Sequence, residues 1–153
     1  MRILKILKDK DLPKIPAKYI TNVTVDLKAL ATSMLATMQY YNGVGLAGPQ
    51  VGENVSILVF DCINISYNSM DSAIMFNPEI LESSEEFSIA EEGCLSYPKI
   101  FVKVKRSLKI KVKYIDIAGR PMVRTYKGLA ARIIQHEVDH LNAITMLDRA
   151  EEE

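Results

Sequence analysis

The chain has 153 residues, enough for one domain with its own core, and its 48% hydrophobic and 25% charged residues are ordinary for a globular protein. Nineteen basic residues balance nineteen acidic ones, so no overall field calls for DNA, RNA or an anionic membrane. Two cysteines far apart, a start (Met1 to Leu7) without a signal peptide's apolar centre, and no apolar run of spanning length exclude a disulfide framework and a membrane anchor, and predict a reducing cytosol.

Residues 1–23 mix short apolar runs with Pro13 and Pro16, which predicts an extended arm lying over the domain. Thr24 or Asp26 then caps a helix running to about Tyr41. Its apolar stripe is Leu27, Leu30, Ala31, Met34, Met38 and Tyr41 at the 3.6 period, and the methionines read as core packing. Gly43-Val44-Gly45-Leu46-Ala47-Gly48-Pro49-Gln50-Val51-Gly52 packs four glycines and a proline into ten residues, so backbone can approach something closely there. A phosphate loop would run from strand to helix. Here a helix precedes the glycines and a strand, Ser56 to Phe60, follows, so that reading is rejected.

Asp61 to Ser72 is polar and reads as a mobile surface loop. Ala73 to Phe76 and Ile80 to Leu81 read as short strand pieces on either side of an Asn77-Pro78 break. Glu79 to Glu92 holds six glutamates and no base, and Lys99 to Lys113 holds seven bases and no acid. Both runs read as solvated strand faces of complementary charge, the lysine face being a weaker candidate for touching ribosomal RNA. Leu108, Ile110, Val112 and Tyr114 alternate with lysines, as in a strand with one wet face. Ala118-Gly119-Arg120-Pro121 turns into a strand from Met122 to Lys127, and Gly128 opens the last helix. Leu129, Ile133, His136 and His140 share one face of that helix, and Ile134, Val138 and Leu141 another, so it is buried. The element order predicts an α+β fold, one domain over residues 1–153, with small antiparallel or mixed sheets packed around a central C-terminal helix.

That helix carries His136-Glu137-Val138-Asp139-His140, and these are the chain's two histidines. Four residues apart on a helix, two imidazoles meet one cation, and Glu137 lies beside it, placed to handle the proton of an activated water. Catalysis at such a site needs a third protein ligand. No histidine follows His140, and the short acidic tail ending in Glu151 to Glu153 leaves too little chain to supply a glutamate in an ordered way. The ligand must come from upstream, and Cys94, between Gly93 and a proline-ended segment, is the natural choice. Cys62 reads as a small buried hydrophobe. One thiolate with two imidazoles suits Fe(II) as well as Zn(II).

Gly43 to Gln50, Glu92-Gly93-Cys94-Leu95-Ser96 and Gln135 to His140 together, in this order, resemble the peptide deformylases, which remove the N-formyl group from new polypeptides. The resemblance spans residues 43–140 and implies the roles of the site. Cys94, His136 and His140 would hold Fe(II), one per chain, with zinc, nickel or cobalt as substitutes. Glu137 would be the proton carrier, and the Gln50 side chain and Leu95 N–H would stabilise the oxyanion. Val44 and Gly93 would meet the substrate main chain, with Gly45 beside them, and the methionine pocket would lie near Gly43, Arg132 and Ile133. Arg132 would line that pocket with its methylene stem. Gly48 stands where the family usually has a second alanine, which predicts a looser loop, and Ala143 replaces a frequent glycine, so the helix exit should differ. The chain resembles short family members without a further C-terminal helix.

The implied substrate is an N-formylmethionyl peptide, met in the bacterial cytosol or in that of a bacterial host if the gene is viral. The protein would be a monomer that contacts the ribosome transiently. Two other readings compete: a zinc peptidase using the same helix, and a catalytically dead, metal-holding binding module. Cys94 opposes the first, and intact Glu137 and Gln50 oppose the second.

Overall fold

The computed structural model describes residues 2–66 and 71–152, so the part of the loop reading that falls on 67–70 lies outside the described residues. Helix α1, Val25–Tyr40, starts where Thr24 accepts a hydrogen bond from the Leu27 N–H at 3.2 Å. Ala31, Met34 and Met38 are fully buried, so the methionines are core. Tyr41 departs from the predicted stripe. It caps the helix end and is 45% exposed, its ring edge-on to Tyr40.

Two buried hydroxyls on α1, Ser33 and Thr37, sit on a face where apolar side chains would be expected, and the arm explains them. The Arg2 N–H donates to Ser33 Oγ at 3.3 Å and the Leu4 N–H to Thr37 Oγ1 at 2.8 Å. Farther along, the Leu7 N–H donates to Gln50 O at 2.7 Å and the Ala17 N–H to Leu141 O at 2.8 Å. The Asn77 side chain accepts from the Ile20 N–H and donates to Ile20 O. Apart from a 3-10 turn at Asp9–Asp11, the arm is therefore extended and stitched to the domain along its length.

Strand β1 (Gly45–Ala47) leads through a 3-10 turn, Gly48–Val51, to β2 (Ile57–Asp61). Successive β2 side chains point to opposite faces. Leu58 and Phe60 pack in the cluster that contains Ala130, Ala131 and Ile134, and Ile57 and Val59 in the cluster with Ala31, Met34 and Met38. A strand buried on both faces reads as an unbroken apolar run, as this one does. Cys62 is buried in the first cluster, as predicted.

Asp61 to Ser72 is not simply a loop, because a one-turn helix, α2, occupies Ile63–Ser66 and strand β3 begins at Ser72. β3 runs unbroken over Ser72–Ser83, correcting the expected break at Asn77-Pro78. Asn77 takes φ +52 and the pairing register shifts between Phe76 and Glu79, so an irregularity absorbs the proline without ending the strand. Strands β4 (Phe87–Cys94), β5 (Tyr97–Ser107), β6 (Lys109–Ile115) and β7 (Pro121–Lys127) follow. They complete a five-stranded sheet, β1-β2-β3-β6-β7, and a separate β4-β5 hairpin, antiparallel throughout. Ile110, Val112 and Tyr114 are the buried side of β6, whereas Leu108 lies in the link before it and is 38% exposed.

The register sets Glu79 opposite Lys113, Glu82 opposite Lys111 and Glu91 opposite Lys103. The two charge runs are complementary across strands. Two members, Glu92 and Arg106, break the solvated-face reading because both are buried.

Helix α3, Gly128–Leu141, buries side chains on nearly all sides, as its pattern predicts, with Leu129 at 37% the main exception. It is not the last helix, since a capped single turn, α4 (Met146–Arg149), follows. At the α3 exit Ala143 holds φ +59 while the Ile144 N–H returns to Asp139 O at 2.9 Å. The exit therefore keeps the left-handed form that glycine favours, and carries it on alanine. Ala143→Gly is expected to stabilise the fold by about 1 kcal/mol, raising the thermal midpoint by about 2–4 °C in a melting experiment.

Candidate active site

The i, i+4 spacing on α3 brings the His136 and His140 rings to a centroid distance of 5.2 Å. Cys94 closes the set from the end of β4, where it pairs with Tyr97 across the tight link into β5. Its Sγ lies 3.4 Å from His140 Nε2, and donor atoms of Cys94, His136 and His140 all lie within 4.8 Å of one another. Distances of this size fit three donors converging on one cation.

Glu137 stands beside them, fully enclosed. One carboxylate oxygen lies 4.0 Å from His136 Nε2, and the other, Oε1, finds no hydrogen-bond partner among the described residues. Burial pushes its carboxyl up, against the opposing pull of His136, to about 7. Gly45 explains how the carboxylate fits, because a Cβ there would stand 2.6 Å from Glu137 Oε2 and 2.8 Å from Ile133 Cγ2.

A charged network missed by the sequence reading lies behind the donors. His136 Nδ1 lies 2.9 Å from Glu92 Oε1, which leaves Nε2 facing the other donors. Arg106 grips Glu92 with two bonds of 2.9 and 3.0 Å and reaches Asp139 Oδ2 at 2.6 Å. Arg149 then holds Asp139 from outside. Arg132, expected as a pocket stem, also uses its tip. It donates to Glu92 at 2.7 Å, to Val104 O and to Ser88.

Burial alone would raise the Glu92 carboxyl, but the bonds from His136 and Arg106 hold it down near 2. Burial alone would also lower His136, but the charge of Glu137 and hydrogen bonds to Cys94 and Glu92 hold it up near 10. His140, buried and facing His136 and Arg106, is pushed down to about 3. The anionic groups thus gather at one imidazole, and a divalent cation is the partner that suits this donor set and the lone Glu137 oxygen. Replacing the orienting carboxylate by Glu92→Gln is expected to weaken metal binding about 10–100-fold, measured by competition with a chelator.

The substrate-facing residues converge as well. Gly43, Val44, Gly45 and Ile133 line a cleft of about 830 Å³ together with Gly93, Cys94 and Leu95. Arg132, His136 and Glu137 border the same cleft. Gln50 lies behind its wall, 1% exposed, donating from Nε2 to Ser96 Oγ at 3.2 Å and to Cys94 Sγ at 3.5 Å. Its Oε1 accepts from the Ala47 N–H at 2.9 Å, which fixes the amide's direction. The Tyr97 hydroxyl donates to Asp9 at 2.6 Å, tying the segment after Cys94 to the arm.

The family model described as polypeptide deformylase matches residues 3–153. The chain belongs to the polypeptide deformylase family. The peptide deformylase of Synechocystis sp. is 46% identical over 148 residues, 97% of this chain and 78% of the relative. The crystal structure of the Thermotoga maritima peptide deformylase superposes with a TM-score of 0.90 at 40% identity, covering 98% of this chain and 99% of that one. A Met-Ala-Ser-bound peptide deformylase from Acinetobacter baumannii superposes at 0.89 and 39% identity, covering 96% and 98%.

Against that family background, Gly48 does not loosen its loop. It is buried, and a Cβ there would meet the carbonyl oxygens of Val55 and Glu53 at 2.6 and 2.7 Å. A side chain at position 48 would therefore force the backbone at Glu53 and Val55 to shift.

Proposed function

We infer that the chain is a metal-dependent hydrolase that removes the N-formyl group from the formylmethionine of new polypeptides and releases formate. The observation that carries the reading is the convergence of Cys94, His136 and His140 beside an enclosed Glu137 at the wall of a peptide-sized cleft, in a deformylase fold. Cys94, His136 and His140 are the metal ligands in this reading, with Fe(II) as the native ion and zinc, nickel or cobalt as substitutes. When bound, the divalent ion supplies Lewis acidity, polarising the formyl carbonyl and making a water acidic enough to attack it.

Glu137 takes the proton of the attacking water and returns it to the leaving amine, a task suited to a carboxyl held near neutrality. The Gln50 amide, aimed by Ala47, and the Leu95 N–H stabilise the oxyanion, each such donor contributing about 3 kcal/mol. Val44, Gly45 and Gly93 offer bare main chain to the peptide, in the manner of an added strand. Gly43, Arg132 and Ile133 border the methionine side chain. The binding of Met-Ala-Ser to the Acinetobacter relative supports the choice of peptide.

The same reading takes residues 1–153 as one catalytic domain, a monomer that meets its substrates transiently at the ribosome in bacterial cytosol. No helix among the described residues is long and apolar enough to cross a membrane. The test is formate release from formyl-Met-Ala-Ser by protein purified without oxygen and loaded with Fe(II) or Ni(II). Metal-dependent release is expected. Endopeptidase cleavage in its place would favour the zinc peptidase, and one tightly held metal without any turnover the binding module.

A further inference from the structure

Three lysines line the cleft, and they come from two elements: Lys5 and Lys8 from the arm, Lys99 from β5. All three are exposed, in a chain whose net charge is zero. The arm cannot carry its pair away freely. Leu4 and Leu7, the residues immediately before Lys5 and Lys8, are anchored by their N–H groups on Thr37 Oγ1 at 2.8 Å and Gln50 O at 2.7 Å. Lys99 has φ +65, a left-handed backbone that side chains rarely adopt and that glycine would accept without strain. A residue kept in such a conformation at the mouth of a binding cleft points to a role in what the cleft receives.

The acids bordering the same cleft do not cancel these lysines. Glu92 is taken up by Arg106, Arg132 and His136. Glu137 is enclosed, which leaves Glu91, exposed and opposite Lys103 in the hairpin register, as one open carboxylate against three lysines. The open side of the cleft is therefore cationic, over an apolar wall that includes Ile3 and Phe101, 46% and 63% exposed.

We propose that Lys5, Lys8 and Lys99 select formylated chains carrying aspartate or glutamate in the two residues after the methionine. The proposal rests on the deformylase reading above, and attributes to these lysines a discrimination among substrates of that reaction. Exposed charges attract through water, so the preference is modest and sensitive to salt.

The experiment compares kcat/KM for C-terminally amidated formyl-Met-Glu-Glu and formyl-Met-Lys-Lys on the metal-loaded protein. In low salt the acidic peptide is expected to be favoured about tenfold, shrinking to about twofold in 0.5 M salt. The double variant Lys5→Glu, Lys99→Glu is expected to reverse the order. Lys10→Glu, on the arm outside the cleft, is expected to leave the ratio as it was. Equal rates for the two peptides, or a preference that survives both high salt and the double variant, would overturn the proposal. Equilibrium binding of the unformylated Met-Glu-Glu and Met-Lys-Lys amides reads the same ratio without turnover. A protein that fails on formyl-Met-Ala-Ser thus sinks the reaction while the charge preference is still decided.

Discussion

Glu137→Ala is expected to bind metal as the parent does and to lose turnover by about 10²–10⁴-fold, the usual worth of a positioned general acid–base. The structure separates the two properties. Glu137 is not one of the three converging donors, and its Oε1 has no partner among the described residues. Removing it leaves Cys94, His136 and His140 in place, together with the Glu92 bond that orients His136. Metal content by elemental analysis and formate release on the same preparation are the paired measurements. Near-normal turnover in the variant would remove Glu137 from the proton-transfer role. A loss of metal together with turnover would make it a ligand instead.

Cys94→Ala is expected to lose metal and activity together. Its affinity should fall by more than the roughly 10–100-fold that loss of an orienting partner costs, because a donor itself has gone. Cys62→Ala is the matched control. Its sulfur lies buried in the cluster beneath α3, so its substitution is expected to cost about 1–2 kcal/mol of stability while metal content and turnover persist. A full complement of tightly bound metal in Cys94→Ala would disprove the ligand assignment. Loss of metal in Cys62→Ala would disprove the control.

The convergence of Cys94, His136 and His140 was legible in the sequence because helical spacing alone puts the two histidines on one face, and the shortage of downstream candidates singles out Cys94. The α1 stripe and the extended arm were legible for similar reasons, local period in one case and proline placement in the other. Glu92, Arg106 and Asp139 were not. Glu92 and Arg106 sit in runs of like charge on alternating strands, and a solvated face has the same pattern. What sends them inward is the way the β4–β5 hairpin packs against α3, a long-range fact. One local sign existed: Asp139 is a charge on a helix that is otherwise buried nearly all round. The continuity of β3 through Pro78 was hidden too, because proline normally ends a strand and only the shifted register shows how it is absorbed. Arg132 borders the cleft, but the partners of its guanidinium come from β4 and β5 and leave no trace near it in sequence.

The division of the strands into two sheets gives the metal a second consequence. Cys94 ends a strand of the separate hairpin, and both imidazoles belong to the helix packed on the five-stranded sheet. A cation shared by these donors rivets one layer to the other, and its binding free energy adds to the work of prying the hairpin loose. The persistence of a molecule against proteases therefore follows its metal supply. A cell short of the metal these donors take would hold fewer copies of this protein as well as less active ones.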